Sequence, residues 1–286
     1  MPFKYVFILF CYCVLQSSAL FSQNELYKID QDSSSTWTLF KYDVNTTWQG
    51  VKYSFTKPLD WKGKDFAKLG GLIIGTATLS LADEEGRRFF NRQQEDFPNL
   101  VRDFGWYFGS PQNYFMANAG IYGFGLLTKN EKVRRTSVLI ITSSITSGFL
   151  QTIAKNGFGR ARPDTGLGRY YFKLFSKEAG HHAFPSGHTI LSVTMSHAIA
   201  KQFNNTWTKI GIYTVGAIPP ISRLIDGAHW LTDVAFSTAL SIIVVDSVDK
   251  FLFKNESHGI SNPKPNKRIT WNMSFGANKI GVIGTF

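Results

Sequence analysis

The sequence predicts an all-α body of about six helices, followed by a short C-terminal β-hairpin. Two observations carry the helical reading. Six apolar stretches of helical length are separated by Gly/Pro or charged clusters, and no convincing period-2 alternation occurs between Phe66 and Phe253. A third observation carries the hairpin. After Asn262-Pro263-Lys264-Pro265, the residues Ile269, Trp271, Met273 and Phe275 alternate with polar ones, a turn-like Gly276-Ala277-Asn278 follows, and Lys279–Phe286 suits a second strand.

Taken in chain order, residues 1–22 have the layout of a secretory signal. Lys4 precedes an apolar run from Tyr5 to Leu15, then a small polar stretch, and cleavage is expected after Ser22. An uncleaved anchor is the alternative. Both cysteines, Cys11 and Cys13, lie in this run, so the mature chain would hold no disulfide, thiolate nucleophile or Cys-ligated metal. Residues 23–60 read as a polar, loosely ordered segment with a short helix over Val44–Phe55. Residues 61–255 form the helical body, from the apolar stretches Phe66–Ala82, Tyr114–Leu127, Thr136–Ala154, Thr189–Ala200, Ile210–Ile221 and Val234–Leu252. Residues 256–286 are the linker and hairpin. One hairpin cannot close a membrane barrel, so packing on the helical body is expected.

The chain of 286 residues carries a net charge of +11, which favours anionic partners such as phosphate groups or acidic lipid surfaces. No Lys/Arg run resembles a nucleic-acid arm and no zinc-finger or RNA-binding motif is present, so no nucleic-acid partner is expected.

Three clusters carry chemistry. In Lys155-Asn156-Gly157-Phe158-Gly159-Arg160-Ala161-Arg162-Pro163, Pro163 turns Arg162 away from helix, and three cations sit where a helix opens into a loop. Guanidinium groups bind phosphate bidentately and lysine adds a point charge. In Phe184-Pro185-Ser186-Gly187-His188-Thr189, Ser186 suits an N-cap and Gly187 allows close backbone approach, which makes an anion site at a helix N-terminus. His188 in the first turn can move a proton. In the segment from Ser222-Arg223 to Asp233, His229 and Asp233 stand four apart and share one helical face. A carboxylate there can hold one imidazole nitrogen protonated and leave the other free as base or nucleophile. Alone, these clusters also suit a solvated basic loop, a capped helix and a surface contact. A two-His metal site built with His188 lacks carboxylate partners at ligand spacing, so no metal and no cofactor is expected. Together they supply the parts for phosphoryl transfer, in which fixed cations neutralise the transferring group.

Lys155 to Arg162-Pro163, then Pro185-Ser186-Gly187-His188, then Ser222-Arg223 with His229 and Asp233, resemble the signature of the type-2 phosphatidic acid phosphatases. That superfamily also includes bacterial acid phosphatases and vanadium haloperoxidases. The resemblance implies a helical bundle of the acid phosphatase/haloperoxidase type and hydrolysis of a phosphomonoester or pyrophosphate without metal. It implies that His229 attacks phosphorus, Asp233 orients His229, and His188 protonates the leaving oxygen. Lys155, Arg162, Ser186, Gly187 and Arg223 would cradle the phosphate. Arg160 and the pair His181/His182 receive no role.

Several apolar stretches are shorter than a membrane span requires. Three full crossings ahead of Lys155 would also leave it on the inner side of the membrane. The expectation is therefore an exported, periplasmic domain resting on an anionic membrane surface, with a multi-pass protein as the alternative. The expected substrate is a lipid phosphate or another phosphoester. A broad-specificity acid phosphatase, a vanadium-dependent haloperoxidase and a non-catalytic lipid- or envelope-binding protein are the competing readings.

Overall fold

A computed structural model describes residues 34–254, together with the backbone of strands 270–276 and 279–285. The signal-peptide expectation lies outside the described residues. Helix α1 spans Thr36–Thr56 and is capped by Ser35, whose hydroxyl accepts from the Thr38 amide at 3.2 Å. Helix α2 is Gly63–Leu79, with the Asp65 carboxylate accepting from the Lys62 amide. A 3₁₀ turn at Ser80–Ala82 leads into α3, Asp83–Arg92. That helix has three acids in its first turn and Arg92 in its last, which suits the helix dipole. Helix α4 is Asn99–Gly109, and α5, Pro111–Leu127, starts with proline at its first position. Helix α6 runs Glu131–Phe158, capped by the Asn130 side chain on the Val133 amide at 3.1 Å. Helices α7, Gly187–Ala200, α8, Thr206–Ile225, and α9, Leu231–Asp249, complete the body.

All six apolar stretches lie on helices, so the body is all-α. The structure corrects the polar segment. In place of a short helix over Val44–Phe55 it has the 21-residue α1, which belongs to the same compact unit, Ile29–Leu252, as the rest. The cause is a buried anchor that a polar composition hides. Asp43 takes two hydrogen bonds of 2.8 Å from the Arg134 guanidinium on α6 and one of 2.9 Å from the Tyr122 hydroxyl on α5. Leu39 on α1 is fully buried with Leu139 and Ile140 of α6, Ile190 of α7, and Val245 and Val248 of α9, and this layer is the core.

Helix α7 is the central element, packing against α6, α8 and α9, while α4 lies across α8 and α7. The N-terminus of α7, the C-terminus of α6 and the start of α9 therefore meet. In a separate unit, Thr270–Gly276 and Lys279–Thr285 pair antiparallel with Gly276 opposite Lys279. The side chains of these strands lie outside the described residues.

Candidate active site

Lys155 occupies the last turn of α6, which ends at Gly159 in the left-handed region, φ 60°. Glycine is needed there twice over, because a Cβ would also collide with the Lys173 carbonyl. The chain then runs extended. The Lys173 amide donates to the Gly159 carbonyl at 2.8 Å, the Ala161 amide to Tyr171 at 3.0 Å and the Arg162 amide to Gly180 at 2.8 Å. Arg162 is extended ahead of Pro163, as the sequence requires. This pinned segment fixes where the cations point.

Ser186 occupies the N-cap position of α7 and is fully buried. Its hydroxyl does not cap a backbone amide; it accepts from the Thr189 hydroxyl at 3.0 Å, while its amide donates to Ser237 Oγ at 2.8 Å. Gly187 begins the helix against α6, where a Cβ would stand 2.8 Å from Gln151 Nε2. His188 follows, its ring centroid 5.0 Å from that of Trp106 on α4. The Arg223 guanidinium lies over the same indole at 4.9 Å. Gly109, also on α4, makes room for the imidazole, since a Cβ there would come 2.7 Å from His188 Cδ2.

His229 is buried in the loop before α9, and its Nδ1 lies 2.6 Å from the Ala183 carbonyl, to which it donates. Asp233 is fully buried, with Oδ2 3.8 Å from His229 Nδ1. At that distance it acts on His229 through its charge, and the hydrogen bond that orients the ring comes from Ala183. The expected His229–Asp233 pairing on one face is thus looser than the sequence implies, because the nearer Asp233 oxygen accepts instead from the Trp230 amide at 2.7 Å. With Nδ1 engaged, Nε2 is the nitrogen left to react.

The structure brings together Lys155, Arg162, His188, Arg223 and His229, whose charges act on one another. Burial and the neighbouring Arg223, His229, Lys155 and Arg162 push His188 down to about 3. Burial also lowers His229, with Asp233 working against that and Lys155 and Arg162 adding to it. Arg162 Nε, His188 Nε2 and Arg223 Nε are buried with no hydrogen-bond partner. Three donor-capable nitrogens from three elements thus stand desolvated in one place, which suits an anion with several oxygens.

Several residues of the site are not legible as such in the sequence. Trp106 and Gly109 come from α4, which carries no motif. Arg160, left without a role, is buried and joins Asp233 to Asp83 of α3. His181 and His182 turn away, bonding to Ser176 Oγ at 2.9 Å and the Ser176 carbonyl at 2.8 Å. Among the described residues, no three His, Cys, Asp or Glu side chains gather as a metal site needs.

Residues 136–255, which contain all eight candidate site residues, match the family model described as the PAP2 superfamily. Over this segment the chain is similar to the PAP2 superfamily. Among curated relatives, a lipid A 1-phosphatase of Porphyromonas gingivalis is 25% identical over 131 residues, 45% of this chain and 26% of that protein. A lipid A 1-phosphatase of Rhizobium etli is 31% identical over 97 residues, 33% of this chain and 41% of that protein. The chain therefore spans less than half the length of the curated relatives it matches. The crystal structure of Aquifex aeolicus LpxE aligns over 59% of this chain and 94% of its own, at 22% identity and a TM-score of 0.43.

Proposed function

We propose that the protein is a phosphatase that removes a phosphate group from a membrane lipid through a phosphohistidine. His229 Nε2 attacks phosphorus while Nδ1 keeps its proton on Ala183, and the P–O bond to the leaving group breaks. Arg162, Arg223 and Lys155 balance the charge on the non-bridging oxygens, and the amide end of α7 at Ser186 and Gly187 adds its dipole. His188, recharged by the bound phosphate, gives its proton to the leaving oxygen. It then takes one from the water that hydrolyses the P–N bond, and inorganic phosphate leaves. The observation that carries this reading is the set of desolvated, unpartnered nitrogens on Arg162, His188 and Arg223, gathered beside a neutral His229.

A lipid substrate is supported by the names of the relatives and by the surface. No residue of α2 is buried, and Phe66, Ile73 and Ile74 are exposed on it. Three helical stretches, Gly63–Arg92, Glu131–Phe158 and Leu231–Phe253, are long and apolar enough to cross a membrane. Polar helical turns lengthen three of the apolar runs into these stretches, which supports a membrane-embedded form. The membrane-embedded form is the one we propose.

The test is phosphate release from vesicles of a lipid phosphate by the purified chain, with EDTA present. The wild type releases phosphate, and His229→Ala falls to the buffer level. Full activity in His229→Ala overturns the mechanism.

A further inference from the structure

We propose that Arg160 and Asp83 are positioning residues that set the place and net charge of Asp233 behind His229. This goes beyond the phosphatase reading but rests on its assignment of His229 as nucleophile. Arg160 uses every face of its guanidinium. One terminal nitrogen donates to Asp233 Oδ1 at 2.5 Å and to Thr232 Oγ1 at 2.8 Å, the other to Asp83 Oδ2 at 2.7 Å, and Nε to the Arg169 carbonyl at 3.1 Å. Asp83 in turn accepts from the Thr232 amide at 2.9 Å and the Thr232 hydroxyl at 2.7 Å. All three charged side chains are buried, Asp83 and Asp233 completely.

The physical consequence is twofold. Both Asp233 oxygens are held by donors other than His229, so the carboxylate cannot swing to close its 3.8 Å gap to the imidazole. One guanidinium between two carboxylates also leaves the cluster with a net charge of about one negative unit. That charge faces His229 from behind. Lys155 and Arg162 act on His229 with the opposite sign, His188 interacts with it as well, and the Ala183 carbonyl fixes its ring. When His229 attacks phosphorus its ring gains positive character, and the cluster stabilises that form. Removing Asp83's charge neutralises the cluster and disfavours a charged His229.

The experiment compares full-chain Arg160→Lys, Arg160→Met and Asp83→Asn with the wild type in the same membrane preparation. Lysine keeps the charge but engages only part of the network, so kcat falls about 10- to 100-fold with KM nearly unchanged. Methionine falls further, and the partial rescue by lysine separates charge from bulk. Asp83→Asn moves the acidic limb of the kcat/KM profile to lower pH, and the imidazole titration of His229, followed by nitrogen-15 NMR, moves the same way. Wild-type kcat and an unshifted titration in folded Arg160→Lys and Asp83→Asn overturn the inference. So does a loss that tracks only the folded fraction. The titration needs no turnover, so an inactive wild type would overturn the phosphatase reading while the hold of Asp83 and Arg160 on His229 is still measured.

Discussion

His188 is kept uncharged by its surroundings, and this has a cost outside catalysis. Its pKa of about 3 lies below the ordinary value of 6.5, because of burial and the facing cations. The unfolded chain therefore binds a proton that the folded chain refuses. The contribution to stability is complete above about pH 6.5 and is lost as pH falls toward about 3. The slope in that window is at most about 1.4 kcal/mol per pH unit for one group. Denaturant titrations across the window should show a shallower loss for His188→Asn than for the wild type, and saturating vanadate or phosphate should flatten the wild-type slope. Equal slopes with and without His188 would contradict the burial of an uncharged ring. Trp106 contributes here as well, since its ring lies against both His188 and the Arg223 guanidinium.

At the scale of elements, α4 decides how much room the His188 ring has. Gly109→Ala places a methyl group 2.7 Å from His188 Cδ2, so the ring or the helix must shift. Kinetics should show kcat reduced roughly 10- to 100-fold, while urea unfolding shows a loss of only about 1–3 kcal/mol. Unchanged kcat would mean that α4 gives way instead. The six apolar helices and the three motifs were legible because their information is local, as runs of apolar residues and fixed spacings. Helices α3 and α4 were not. The first is mostly charged, Asp83-Glu84-Glu85-Gly86-Arg87-Arg88, and the second is short with an internal glycine. Their contribution rests on single long-range contacts, such as Asp83 with Thr232 across 149 residues, which no local pattern records. The same holds for α1, whose buried Asp43 reads in sequence as one more polar residue. The His229–Asp233 spacing suggests a shared helical face, but His229 lies in the loop ahead of the helix, and the Ala183 carbonyl that holds its ring, a backbone atom from another loop, has no sequence signature.

At the scale of the whole molecule, the exposed apolar surface and the net charge of +11 both suit an anionic membrane. Between Arg162 and His188 the loop exposes Leu174 and Phe175, beside Lys173 and Lys177. Phe175 sits at φ 57°, a conformation that asparagine tolerates, so Phe175→Asn with Leu174→Asn removes apolar contact without breaking the turn. The double variant should hydrolyse a long-chain lipid phosphate in vesicles about tenfold less efficiently and a short, water-soluble phosphate ester at the wild-type rate. Equal loss on both substrates would place the loop's effect in the chemistry rather than in lipid contact.

The chain of contacts from Asp83 through Arg160 to Asp233 also sets an order of assembly. Its members lie on α3, on the loop after α6 and on α9, so the network closes only when the last helix of the body has left the ribosome. Until then Arg160 and Asp83 are two charges with no interior to share. A nascent chain ending before Trp230 has most of its helices together with Lys155, Arg162 and Arg223, but lacks the Asp233 carboxylate that Arg160 holds. The buried charge network is thus among the last parts of the helical body to form.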